Sequence, residues 1–115
     1  MARSPLEIFA HHAESLIAGN IDEIVADYSD DALFITPDGV LRGKAGVRKG
    51  FEALLNDLPD AEWSVPTQHF EGTVGFIEWK AVSATTEASD GIDTFVFDDE
   101  HIVAQTVRYT LQKRS

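Results

Sequence analysis

The sequence predicts a single α+β domain in which helices come first and a mostly antiparallel sheet follows. Three observations carry this reading. Apolar residues recur at helical spacing through most of the stretch before Pro59. From Ala61 onward the pattern changes to runs rich in β-branched and aromatic residues. Strands and helices do not alternate in the manner of βαβ units. A chain of 115 residues fits one domain, here 1–115, with a single apolar core.

The first helix is announced by its cap. Ser4 is a good N-cap, Pro5 suits the first helical position, and Glu7 completes a capping box. Leu6, Phe9, Ala13, Leu16 and Ile17 then fall on one face. Gly19 ends this helix, and Asn20 caps a short second one carrying Ile21, Ile24, Val25 and Tyr28. Asp30 and Asp31 lead into a strand at 32–36, the turn residues Pro37, Asp38 and Gly39, and a return strand at 40–42. A third helix after Gly43 sets Val47, Phe51, Leu54, Leu55 and Leu58 on one stripe, with Pro59 beyond its end. Strands are expected at 62–71, 73–83, 92–98 and 101–112. Turns fall at Glu71-Gly72, around Ser89-Asp90-Gly91, and at Asp98-Asp99-Glu100.

The last two strands are placed more finely. A tight hairpin centred on Asp99-Glu100 sets Phe97 opposite Ile102, Phe95 opposite Ala104 and Asp93 opposite Thr106. By the period of two, Asp93, Phe95, Phe97, Ile102, Ala104, Thr106 and Arg108 share one face. The other face carries Val96, Val103, Gln105, Val107 and Tyr109. Both faces are substantially apolar, and one layer of helices covers only one of them. The face with Val96, Val103, Val107 and Tyr109 is therefore expected to meet a second copy in a homodimer.

Nine basic against twenty acidic residues give a net charge of −11, which repels nucleic acid and anionic membrane. The absence of cysteine excludes a disulfide framework, a thiol nucleophile and a cysteine zinc site, and it suits the cytoplasm. No apolar run is long enough to span a membrane, and residues 1–5 lack the apolar stretch of a signal peptide. No pair among His11, His12, His69 and His101 has metal-ligand spacing, and no phosphate loop or nucleotide fingerprint is present. Neither a metal nor a cofactor is expected.

Three stretches carry a resemblance. They are Gly19-Asn20-Ile21-Asp22-Glu23-Ile24-Val25; Tyr28-Ser29-Asp30-Asp31-Ala32 through Pro37 with the helix from Gly43 to Phe51; and Asp93-Thr94-Phe95-Val96-Phe97-Asp98 with Ile102-Val103. Together the sequence resembles the nuclear-transport-factor-2-like superfamily, especially its SnoaL-like and ketosteroid-isomerase-like members. The resemblance implies a cone: a curved antiparallel sheet wrapped around three helices, with an apolar pocket inside and usually a homodimer. Because this fold hosts isomerases, cyclases, hydrolases, dehydratases and binding modules, the pocket residues must decide the function.

Carried over from the isomerases, the catalytic base falls on Thr36, the oxyanion tyrosine on His12 and the protonated acid on Asp93. Threonine cannot abstract a carbon-bound proton at neutral pH, so the isomerase's own chemistry is not expected. Cyclase-like members place acid–base groups on the last strand, where this chain has Gln105, Thr106 and Val107. Asp93 and Arg108 supply two parts of an epoxide-hydrolase-like site, without a second inward carboxylate. His12 has two readings, a helix-edge residue bonded to a neighbour or a donor or base in the pocket. For Asp93 the alternatives are a structural pair and a catalytic acid. The register sets Arg108 diagonal to Asp93, so Asp93 is expected to be ionised and paired with it.

The sequence thus points to a domain that binds a small, mostly apolar molecule in its cone; if it is an enzyme, its chemistry is cofactor-independent acid–base catalysis of an isomerase-, cyclase- or hydratase-like kind. His12, Asp93 and Arg108 form its polar cluster, and Phe34, Thr36, Phe51, Trp63, Trp79, Phe95 and Thr106 line the ligand site. The alternative is a non-catalytic homodimerisation or assembly module whose cone is filled by its own side chains.

Overall fold

The computed structural model describes residues 2–114; Met1 and Ser115, the ends of the expected domain, lie outside the described residues. These residues form three helices and seven strands: α1 (Pro5–Ala18), α2 (Ile21–Ala26), β1 (Tyr28–Thr36), β2 (Gly39–Arg42), α3 (Gly43–Asp57), β3 (Glu62–Glu71), β4 (Val74–Val82), β5 (Thr86–Phe97), β6 (Ile102–Arg108) and β7 (Gln112–Lys113). The strands make one curved, unclosed sheet in the order β2-β1-β6-β5-β4-β3, with the short β7 beside β5. The sheet is mixed rather than purely antiparallel, because β1 and β6 run parallel. None of the helices is long and apolar enough to cross a membrane.

The helix signals act as read. The Ser4 hydroxyl accepts from the Glu7 amide at 3.1 Å, and the Glu7 carboxylate accepts from the Ser4 amide at 2.9 Å. Gly19 closes α1 in the left-handed region at φ 68°, where a Cβ would be strained. The buried face of α1, however, is Ile8, Phe9, His12 and Ser15, while Leu6 and Ile17 stay exposed. Tyr28 is not helical: it opens β1 and is fully buried.

Two strand expectations are overturned. The residues Ser89-Asp90-Gly91 do not turn; they lie inside β5, and the connection from β4 falls at residues 83–85. Gly91 is there because it must be bare. A Cβ at this position would stand 2.1 Å from the Trp79 ring.

The second correction is the register of β5 and β6. Phe97 does oppose Ile102, but the pairs that follow are Val96 with Ala104, Phe95 with Gln105, and Asp93 with Val107. Val103 is an extra residue, a β-bulge, and beyond it every side chain of β6 changes face. Gln105 and Val107 turn inward and are buried, whereas Thr106 and Arg108 turn outward and are exposed. The odd spacing between the buried Ile102 and Val107 is the sequence trace of this bulge. A plain two-residue period misses it because Val103 and Ala104 are both apolar. The turn itself is held by Asp98, whose Oδ1 accepts from the amides of Glu100 and His101 at 2.8 and 2.7 Å.

The core lies between the helices and the inner face of the sheet. Phe9, Phe34, Phe51, Phe95 and Phe97 are all at most 7% exposed. A test of this packing is Gly91→Ala, expected to lower unfolding stability in urea by ~1–3 kcal/mol as the added methyl displaces the indole. The exposed neighbour substitution Ser89→Ala should stay within about 0.5 kcal/mol.

Candidate functional site

Asp93 is the centre of a buried polar chain. Its Oδ1 accepts from Trp79 Nε1 at 2.9 Å, and its Oδ2 accepts from Gln105 Nε2 at 3.0 Å. The Tyr28 hydroxyl in turn donates to Gln105 Oε1. The four residues come from β5, β4, β6 and β1, so the chain crosses four strands that are neighbours in the sheet. The expected Asp93–Arg108 ion pair does not form, since the bulge sends Arg108 to the opposite face. Among the described residues no salt bridge includes Asp93. Burial without a cation pushes its carboxyl up to about 7, against the smaller opposing effect of the Trp79 and Gln105 hydrogen bonds.

His12 enters from α1. Its ring is surrounded by Phe51, Phe95, Tyr28 and Phe9, with centroids at 5.4, 5.5, 6.0 and 6.2 Å. The residue is 3% exposed, and its Nδ1 is buried without a hydrogen-bond partner. Burial lowers its pKa to about 4, the Asp27 charge opposing that only in part. His12 is therefore a neutral imidazole near pH 7. The adjacent His11 points elsewhere, with Nδ1 2.6 Å from a carboxylate oxygen of buried Asp27, which also takes Arg3 at 2.9 Å.

Both residues line a hollow of about 230 Å³. Its wall includes Phe9, Leu16, Phe51, Trp63, Ile77 and Trp79, with Gln105 and Val107 from β6. Of the aromatic residues expected around a ligand, Phe51, Trp63 and Trp79 are in this wall, and Phe95 backs it through the ring of His12. Phe34 and Thr36 instead line a second, larger hollow of about 540 Å³ between the β1–β2 hairpin, α3 and the end of β6. Thr36 Oγ1 accepts from the Asp38 amide at 3.1 Å, so its hydroxyl serves the turn. Thr106 and Arg108 line neither hollow, and Arg108 acts on Asp90 instead. Gln105 and Tyr28 were not singled out as site residues from the sequence. Gln105 was hidden by the assumed register and Tyr28 by its assignment to a helix.

The geometry makes a pH prediction with opposite signs for the two groups. Asp93 titrates near 3.8 when unfolded and about 7 when folded. Its contribution to stability is therefore complete below pH 3.8 and lost as pH rises toward 7. For His12 the folded value of about 4 lies below the unfolded 6.5, so its contribution to stability rises over that interval. Urea unfolding between pH 4 and 7 should therefore give a steeper gain with pH for Asp93→Asn than for the wild type. His12→Phe should shift the slope the other way. Identical slopes in all three proteins would contradict the buried, unpaired environment of both groups.

Comparison with known proteins bears on this geometry. No curated protein matches the chain. Solved structures do. A cystatin-fold protein from Novosphingobium aromaticivorans superposes with a TM-score of 0.77 at 19% identity, over 91% of this chain and 97% of that one. An NTF-2-like protein of unknown function from Burkholderia xenovorans LB400 gives 0.75 at 19%, over 96% and 85%. A protein from Kribbella flavida assigned as a ketosteroid isomerase gives 0.74 at 13%, over 94% and 78%. At such identities these likenesses establish the fold, nuclear-transport-factor-2-like or cystatin-like, and nothing of the chemistry. The model of the SnoaL-like domain matches residues 9–105, nearly the whole of the helices, hairpin and sheet just described, and the chain belongs to that family.

Proposed function

We propose that the protein binds a small, mostly apolar molecule bearing a carbonyl or hydroxyl oxygen in the inner hollow, that Asp93 moves a proton to or from it, and that neutral His12 holds its oxygen by a hydrogen bond. The observation that carries this is the unpaired Nδ1 of His12. The other buried polar groups of the hollow's wall, Trp79, Asp93 and Gln105, bond one another, whereas this nitrogen has been desolvated for no partner, at a cost of ~1–3 kcal/mol. A ligand oxygen against the imidazole recovers that cost. The aromatic wall supplies the apolar part of the binding free energy.

Asp93 suits proton transfer because a group titrating at about 7 is present in both forms near neutral pH. The neutral imidazole of His12 can donate or accept a hydrogen bond at the ligand oxygen without placing a cation among four aromatic rings. An open hollow of about 230 Å³ beside these groups counts against a cone filled by its own side chains. The ketosteroid isomerase assignment of the Kribbella neighbour agrees with carbonyl chemistry, although the base position here is the turn-bound Thr36.

The outer face of the sheet supports a partner as well. Val74, Val96 and Ala104 stand in one row across β4, β5 and β6, beside a row of Phe76, Thr94 and Thr106. Val107 and Tyr109, expected on this face, belong to the inner side and line the hollows, so they drop out of the interface. We infer that the row through Val96 packs on a second copy of the chain, in a symmetric interface burying upward of ~1,000 Å².

Incubation of linear and cyclic ketones in D₂O tests the chemistry directly. The wild type should speed exchange of the protons next to the carbonyl, and Asp93→Asn should lose about 10²–10⁴-fold of that rate while still binding the ketone. His12→Phe, which fills the space and removes the nitrogen, should abolish binding and exchange together. Absence of both exchange and thermal stabilisation with every ketone tried would refute the reading. Separately, Val96→Glu should sediment as a monomer where the wild type sediments as a dimer.

A further inference from the structure

The two hollows share a wall of two residues. Leu54 and Val107 are the side chains that line both the inner hollow of about 230 Å³ and the outer one of about 540 Å³. Each is 6% exposed, and they come from different elements, α3 and β6. Leu54 follows Phe51 by about one helical turn on the buried face of α3. Val107 follows Gln105 by two on the inner face of β6. The wall therefore stands next to the aromatic cage of His12 on one side and the carboxamide that holds Asp93 on the other.

The dimensions say what this wall does. The inner hollow alone lies below the ~300–1,000 Å³ usual for small-molecule sites, and the two together fall within that range. The exposed residues lining the inner hollow, Ile17, Ser64 and Gln68, belong to α1 and β3, and this is the side open to solvent. A ligand admitted there with its oxygen at His12 meets Leu54 and Val107 as buried, apolar wall. Beyond them lie Phe34, Leu41, Gly50 and Tyr109 of the outer hollow, a surface that accepts further carbon atoms once the wall is cut back.

We propose that Leu54 and Val107 set the maximum length of the ligand, acting as a size filter between the inner hollow and an outer one that the wild-type ligand does not reach. This rests on the binding reading above and adds to it a specificity determinant of two residues. It also specifies the ligand class further: short carbonyl or hydroxyl compounds are retained, and longer homologues are refused at their far end.

The experiment uses a homologous series of methyl ketones against the wild type, Leu54→Ala, Val107→Ala and the volume-conserving control Leu54→Met, with binding followed by NMR. Wild-type affinity should rise with chain length, then fall abruptly at one homologue. In Leu54→Ala and Val107→Ala that break should move to longer ketones, and the first ketone refused by the wild type should gain about tenfold or more, as expected for a methylene admitted to an apolar pocket. Val107→Ala is the milder truncation and keeps the test open if Leu54→Ala fails to fold. Dissolved xenon provides a readout independent of ketone recognition, since it enters apolar cavities. Truncation should join the xenon-induced shifts of inner residues such as Ile77 to those of outer residues such as Val40. An unchanged length break in the folded variants overturns the filter. Joined xenon shifts with no ketone bound by any of the proteins overturn the binding reading, and the length selection with it, leaving Leu54 and Val107 as a partition only.

Discussion

One extra residue in β6 governs the chemistry of the whole interior. The bulge at Val103 brings Gln105 and Val107 to the inner face and sends Thr106 and Arg108 to the outer one. Without it, the alternation of the strand would deliver a guanidinium to Asp93 in place of a carboxamide. The carboxylate would then be held in its charged form, and the interior would contain an ion pair. With the bulge, Asp93 meets only neutral donors and is pushed to about 7. A one-residue slip in register thus changes an electrostatic anchor into a titratable acid.

The rest of the site follows from the same exclusion of charge. Trp79, Asp93, Gln105 and Tyr28 form a continuous hydrogen-bond chain across β4, β5, β6 and β1, so the polar groups of these four side chains are partnered by one another. Satisfied networks of this kind fix side chains firmly, because each member that moved would strand a partner in a low-dielectric surrounding. Against that rigid wall, α1 presents an imidazole enclosed by rings. Burial lowers His12 and raises Asp93, and both shifts favour the uncharged form. The hollow is consequently apolar in character, yet its wall holds a carboxyl pushed up to about 7 and an uncharged imidazole.

Small residues make room for this arrangement at specific points. Gly91 is bare so that the Trp79 indole can lie across β5 and reach Asp93 with its N–H. Gly50 on α3 leaves the Phe34 ring its place, since a Cβ there would come within 2.6 Å of that ring. In each case a glycine marks a close approach of ring and backbone. This explains why Gly91 read as a turn residue when taken with its neighbours Ser89 and Asp90.

The sequence alone determined the elements whose signals are local. The capping box of Ser4 and Glu7, the Gly19 stop, the stripe from Val47 to Leu58 and the strand over Glu62–Glu71 are written in adjacent residues, and their energetics depend on those residues. The family likeness was legible for the same reason, being carried by short contiguous stretches. His12 and Asp93 were also recognisable as candidates, the first by its place on the helix and the second by its match to the family acid. Only the tertiary structure decided what surrounds them. Tyr28 became a strand residue because pairing of β1 with β6 outweighs its helical spacing to Val25. Arg108 left the site and Gln105 entered it because a bulge shifts faces without altering composition. Thr36 and Phe34 went to a separate hollow because Leu54 and Val107 close the space between. Burial, register and the partition of a cavity arise from residues far apart in the chain, and no window of sequence contains them.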